Sequence, residues 1–117
     1  MTATACSTPG AFSDRADVPS CGDVTLDHAQ QIPKKPAACM DQAQGSENGA
    51  ELVVRPATID GGPITVYLRY ESDSRDLRVW TDSREDDLGR TSWTLSRCVK
   101  PDSVLDWQGC RPVKSWR

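Results

Sequence analysis

Beyond Asn48-Gly49 the chain alternates apolar and polar residues in four separate runs. Leu52 and Val54 are interleaved with Glu51, Val53 and Arg55, and Leu77 and Val79 with Arg78 and Trp80. Ile64, Val66, Leu68 and Tyr70 alternate with Thr65, Tyr67, Arg69 and Glu71, and Trp93 and Leu95 with Thr94 and Ser96. A period of two sends successive side chains to opposite faces, so each run predicts a β-strand. A shorter alternation at Asp23-Val24-Thr25-Leu26-Asp27 predicts one more strand near the start of the ordered chain. Between that strand and the four runs the period lengthens. Ile32, Pro36, Met40 and Ala43 lie three or four apart and share one face of a helix over Pro33 to Gln44, with Pro36 tolerable in its first turn and Gly45 placed to end it.

The breaks between runs carry turn residues: Asp60-Gly61-Gly62-Pro63, Ser72-Asp73-Ser74 and Asp86-Asp87-Leu88-Gly89. Consecutive strands joined by short links favour an antiparallel meander, and a single helix suffices to cover one of its faces. The expected fold class is therefore α+β: one helix packed on a four- to five-stranded antiparallel sheet, strand then helix then four strands. Ser7 to Ser20 is rich in Ser, Pro, Ala and Asp and reads as linker. The expected organisation is a flexible tether over 1–20 and a single domain over 21–117 with an irregular C-terminal tail.

Five cysteines change this picture. Cys6 stands apart, preceded by Ala3-Thr4-Ala5 and followed by Ser7-Thr8-Pro9-Gly10, a small-residue entry and a flexible exit that suit an acylated cysteine. This reading expects an apolar signal segment ahead of Ala5 in a precursor; the printed start has no basic residues followed by an apolar stretch. The alternative is that Cys6 is a free thiol, or one half of a bridge that leaves another cysteine odd. The remaining Cys21, Cys39, Cys98 and Cys110 are an even set that suits two disulfides in an oxidising compartment. Of the three possible pairings, the local one, Cys21–Cys39 with Cys98–Cys110, would tie the helix to the first strand and the tail to the sheet. A zinc site is disfavoured by the lack of any C-x-x-C spacing and by a single histidine, His28.

Fourteen basic and seventeen acidic side chains leave a net charge of −3, which argues against a nucleic-acid partner. Only 37% of residues are apolar and 6% aromatic, so the core is expected to be thin and the disulfides to matter, at roughly 2–4 kcal/mol each. No apolar run approaches the roughly 20 residues of a membrane span, so any membrane link would run through a lipid on Cys6.

Candidate chemistry is sparse. His28 beside Asp27 lacks a nucleophile on a strained turn, since there is no G-x-S-x-G, and no cofactor is implied. Asp82 and Asp86 belong to an oxygen-rich loop with Glu85 and Asp87 that could take calcium; Arg84 and Arg90 compete for those carboxylates, and Asp82 is equally suited to cap a turn. On the sheet, Tyr67, Arg69, Arg78 and Trp80 fall on the face opposite Val66, Leu68, Leu77 and Val79. Tyr, Trp and Arg are the residues most enriched at binding hot spots, so these four form the expected binding surface, unless Val104, Leu105, Trp107 and Trp116 of the tail fold over it.

Thr58-Ile59-Asp60-Gly61-Gly62-Pro63-Ile64, followed by Thr81-Asp82-Ser83, Asp86, Gly89 and Cys98, resembles a family of small lipoproteins of Gram-positive and actinobacterial species, classified as a domain of unknown function. Its pattern runs T-x-E-G-D-P-I, a strand, T-D-S-x-x-D-x-F-G and a cysteine; here Asp60, Gly62 and Leu88 depart from it. The resemblance implies an exported, helix-on-sheet cell-envelope lipoprotein and assigns no activity. The expected function is a non-catalytic binding module with a protein partner in the envelope. The alternatives are a secreted enzyme inhibitor acting through the Asp60–Pro63 and Ser83–Gly89 loops, or a calcium-binding envelope protein.

Overall fold

A computed structural model describes residues 8–57, 63–84 and 93–115. It contains a six-stranded sheet in sequence order, β1 (Ser20–Thr25), β2 (Ala50–Arg55), β3 (Thr65–Tyr70), β4 (Leu77–Asp82), β5 (Trp93–Cys98) and β6 (Arg111–Pro112). A one-turn helix, α1 (Gly10–Ser13), precedes it; α2 (Lys34–Ala43) joins β1 to β2, and a 3₁₀ helix, η1 (Val104–Gly109), joins β5 to β6. The α+β character and the antiparallel run from β2 to β6 match the pattern of the sequence.

Two features of the sheet correct the expectation. It has six strands rather than four or five, because the tail contributes β6 beside β5. It is also mixed: β1 runs parallel to β2. Between Thr25 and Ala50 the chain is carried back by α2, whose ten residues rise about 15 Å, so β2 starts again from the end where β1 started.

α2 holds the helix side of the sheet together. Pro33 stands at its N-cap, and Ala37, Met40 and Ala43 turn inward against Leu52, Val54, Val66, Leu68, Tyr70, Leu77 and Val79. The Cys21–Cys39 disulfide ties α2 to β1, and Cys98–Cys110 ties the end of β5 to the residue after η1. Asp41 accepts from the Val104 amide at 2.7 Å and from the Ser103 hydroxyl at 3.0 Å, which seats η1 against the helix. Gln44 donates to the carbonyls of Arg75 and Pro101, both at 2.9 Å. Gly49 enters β2 with φ 67°, and a Cβ there would fall against the Tyr70 carbonyl, so only glycine fits this turn.

The opposite side of the sheet is also covered, and by an unexpected element. Within the segment expected as a tether, Phe12 of α1 is 7% exposed and sits in a cluster with Trp80, Trp93 and Leu95. Its ring lies 4.6 Å from those of Tyr67 and Trp93 and 5.6 Å, edge-on, from that of Trp80. A composition that reads as linker thus hides one anchoring aromatic. Phe12→Ala should destabilise the domain by about 3–5 kcal/mol in chemical denaturation. Because the ring also shields the tryptophans, the native variant should show red-shifted Trp emission and faster proteolysis within residues 8–18, with unchanged emission counting against this packing.

Candidate functional site

Strand register places the expected surface residues on one face. Val53, Tyr67, Trp80 and Leu95 form one cross-strand row, and Glu51, Arg69, Arg78, Arg97 and Arg111 form the next. Three of the four residues singled out from the sequence are nevertheless covered. Trp80 is 2% exposed and Arg69 1%, and Tyr67 lies half-buried beneath Phe12. Arg78 alone remains open to solvent. Tyr67, Arg69, Arg78 and Trp80 are therefore not a continuous exposed surface. Among the described residues the main cover is the α1 segment, with Val113 of the C-terminal tail packed beside it. Val104 is buried on the helix side with Trp107 packed beside it, and Leu105 is exposed; Trp116 lies outside the described residues.

Beneath the α1 segment is a buried ion network. Arg69 donates from Nη1 to Glu51 Oε2 at 3.1 Å, from Nε to Glu71 Oε2 at 2.5 Å, and from Nη2 to the Ala16 carbonyl. Arg15 holds the same Glu51 in a bidentate pair at 2.9 and 3.0 Å, donates to the Phe12 carbonyl at 3.0 Å, and stacks over the Phe12 ring at 3.7 Å. One carboxylate thus joins two guanidiniums, one from the sheet and one from the segment lying on it. Burial pushes the Glu51 carboxyl up, but the hydrogen bonds and charges of Arg15 and Arg69 outweigh it and hold Glu51 below its ordinary value. Burial pulls Arg69 down, and Glu71 and Glu51 more than restore it.

Asp82 ends β4 and accepts from Arg84 three times: from its amide at 3.1 Å, from Nε at 2.9 Å and from Nη2 at 2.8 Å. Burial raises Asp82, while the Arg84 hydrogen bonds and charge lower it further than burial raises it. Its carboxylate closes a turn and faces a guanidinium, an arrangement that disfavours a cation. Among the described residues no group of three or more His, Cys, Asp or Glu could hold a metal. Asp86 and most of the Asp60–Pro63 and Ser83–Gly89 loops lie outside the described residues, as does Cys6.

An open cleft of about 290 Å³ that sequence reasoning missed lies on the helix side, between the β1–α2 loop and η1. Leu26, Ile32, Leu105 and Trp107 supply its apolar walls, and His28, Gln30 and Gln108 stand among its polar groups. The loop is a tight turn: the Gln30 amide donates to the Asp27 carbonyl at 3.1 Å, the Gln30 side chain accepts from the Asp27 amide at 2.9 Å, and Ala29 adopts φ 63°. Positive φ in a residue with a Cβ is uncommon and concentrates at functional sites. Leu105 is 43% exposed at the mouth of the cleft. Nothing in the period of the sequence joins residues 26–32 to 105–108; the disulfides and Asp41 bring them together.

Against protein-family models, curated proteins and solved structures, the chain has no match. The two disulfides fit an oxidising, non-cytoplasmic environment, and no helix among the described residues is long and apolar enough to cross a membrane.

The Glu51 network sets an acid dependence. A carboxyl whose folded value is depressed contributes stability that is complete above its unfolded value, near 4.3, and is lost as pH falls through the folded value. The melting temperature should therefore hold steady from neutral pH to about pH 4.5 and then fall. Glu51→Gln should cost about 1–3 kcal/mol at pH 7 and flatten that acid limb, as read from thermal melts at pH 7 and pH 3. An acid slope equal to the wild type's would remove Glu51 as its source.

Proposed function

We propose that this chain is an exported, lipid-anchored envelope protein, a non-catalytic module that holds a protein partner in the cleft between the β1–α2 loop and η1. The observation that carries the reading is the cleft. It pairs an exposed leucine and a half-buried tryptophan with amide and imidazole groups, the mix of apolar anchor and polar handle that binding hot spots use. A disulfide on each side supports it, since Cys21–Cys39 steadies the element that leads into the loop and Cys98–Cys110 closes the segment that carries η1. The contact expected at Tyr67 and Trp80 moves to this cleft because α1 covers the aromatic face.

Export is supported by the two disulfides, and anchoring by the small residues around Cys6 and the resemblance of Thr58–Cys98 to envelope lipoproteins. Fatty-acid labelling of a full-length precursor should mark the wild type and spare Cys6→Ser; equal labelling removes the anchor.

The cleft is tested by affinity capture from a native envelope extract. Leu105→Glu, at a side chain already 43% exposed, should fold normally and lose the captured protein, about 30-fold in affinity or more. Capture of the same protein by wild type and variant would move the binding site elsewhere.

A further inference from the structure

The row of the sheet that ends in the Glu51–Arg69 network continues outward as three more arginines. Arg69, Arg78, Arg97 and Arg111 are direct cross-strand neighbours on β3, β4, β5 and β6. Like charges placed opposite one another in a sheet are destabilising. At Arg69 the repulsion is offset by Glu51 and Glu71. Farther out the compensation thins: Arg78 pairs with Glu71 at 3.6 Å, and among the described residues Arg97 and Arg111 have no ion pair. All three are exposed, and strand spacing spreads them over about 10 Å. A chain of net charge −3 thus gathers three arginines on one corner of one face, two of them without an ion pair among the described residues.

That face is the one on which the N-terminal segment lies. Ala11 joins Arg78, Trp80, Leu95, Arg97 and Val113 around a shallow cleft of about 240 Å³, and Arg84 donates to the Thr8 hydroxyl at 3.3 Å. Cys6 precedes Thr8 by two residues, which reach at most about 7 Å. Phe12, the first buried residue described, lies only six positions beyond Cys6, so an anchor at Cys6 would be tied close to this face.

We propose that the Arg78–Arg97–Arg111 face is a membrane-contact surface that binds the anionic headgroups of the bilayer in which Cys6 is anchored. The inference rests on the anchoring reading for its orientation. A lipid chain and a basic patch are complementary signals, since one acyl chain alone holds a protein only weakly and reversibly. Guanidiniums pair with phosphate through two parallel N–H donors, and phosphates standing between adjacent strands would relieve the repulsion along the row. A second hollow is lined by Arg97, Lys100 and Arg111 together with Asp102 and Asp106, so cations outnumber carboxylates three to two at that edge of the strap side, the side crossed by the N-terminal segment. The cleft at Leu105 and Trp107 lies on the helix side and stays clear of the membrane.

The test uses the disulfide-bonded protein with one alkyl chain attached to Cys6 through a maleimide, which makes it independent of whether cells acylate that residue. Partition is measured into phosphatidylcholine vesicles with and without phosphatidylglycerol. Wild type should prefer the anionic vesicles tenfold or more, at about fivefold per arginine, and raised salt should erase the preference. Arg78→Gln/Arg97→Gln/Arg111→Gln should bind both vesicles equally and as weakly as wild type binds the neutral ones. An anionic preference equal to that of wild type in the triple variant overturns the proposal. So does displacement of wild type from anionic vesicles by a soluble glycerol-phosphate polymer at matched ionic strength, which would assign the arginines to a wall polyanion. Failure of fatty-acid labelling in cells with an intact vesicle preference would remove the anchor and leave the surface.

Discussion

The buried guanidinium of Arg69 is the constraint around which one whole side of this protein is arranged. A charge that is 1% exposed has to be paired and hydrogen-bonded, because an unpaired buried ion costs several kcal/mol. The sheet supplies Glu51 and Glu71, and Nη2 also donates to the Ala16 carbonyl, from a segment that comes before the sheet in the chain. Arg15 then shares Glu51 and lies on Phe12, whose ring fills the space over Tyr67, Trp80 and Trp93. Burial of the arginine and burial of the aromatic row are therefore one event. The N-terminal segment can leave neither without exposing both.

The strands were legible because a period of two survives on both faces of the sheet: β2 to β5 all fall where alternation places them, and α2 begins and ends beside its proline and glycine signals. The parallel pairing of β1 was within reach as well, since strand, helix, strand is the pattern of a crossover, but the three short links that follow favour an antiparallel meander throughout. β6 was beyond reach, because two residues that include Pro112 carry no periodicity. The covered face was misread for a different reason. Alternation tells which residues share a face, and nothing in it tells what lies on that face, so Tyr67, Arg69 and Trp80 looked the same from the sequence as they would on an open surface. A single phenylalanine in fourteen linker-like residues was the one available sign. The cleft was illegible because its walls come from stretches far apart in sequence, drawn together through α2, Asp41 and the disulfides.

The two sides of the sheet differ in what they use. The helix side is held by apolar burial and two covalent ties, which suits a rigid cleft presented to a partner. The strap side is held by one aromatic ring and an ion network, and on its outer rim Arg97 and Arg111 have no ion pair among the described residues. A domain held at its first residues is oriented by the side on which those residues lie, so under the proposed reading the strap side meets the lipid and the cleft looks away from it.

The position of the strap also orders events in time. Every residue that receives Phe12 and Arg15 (Glu51, Tyr67, Trp80, Trp93, Leu95) comes later in the chain. The segment synthesised first is thus among the last that can dock, because its seat does not exist until β5 has paired with β4. Until that pairing, the residues from Phe12 to Arg15 have no seat on the sheet. Seating of the N-terminal segment and closure of the aromatic face are thus one late event, which no earlier stretch of the chain can begin alone.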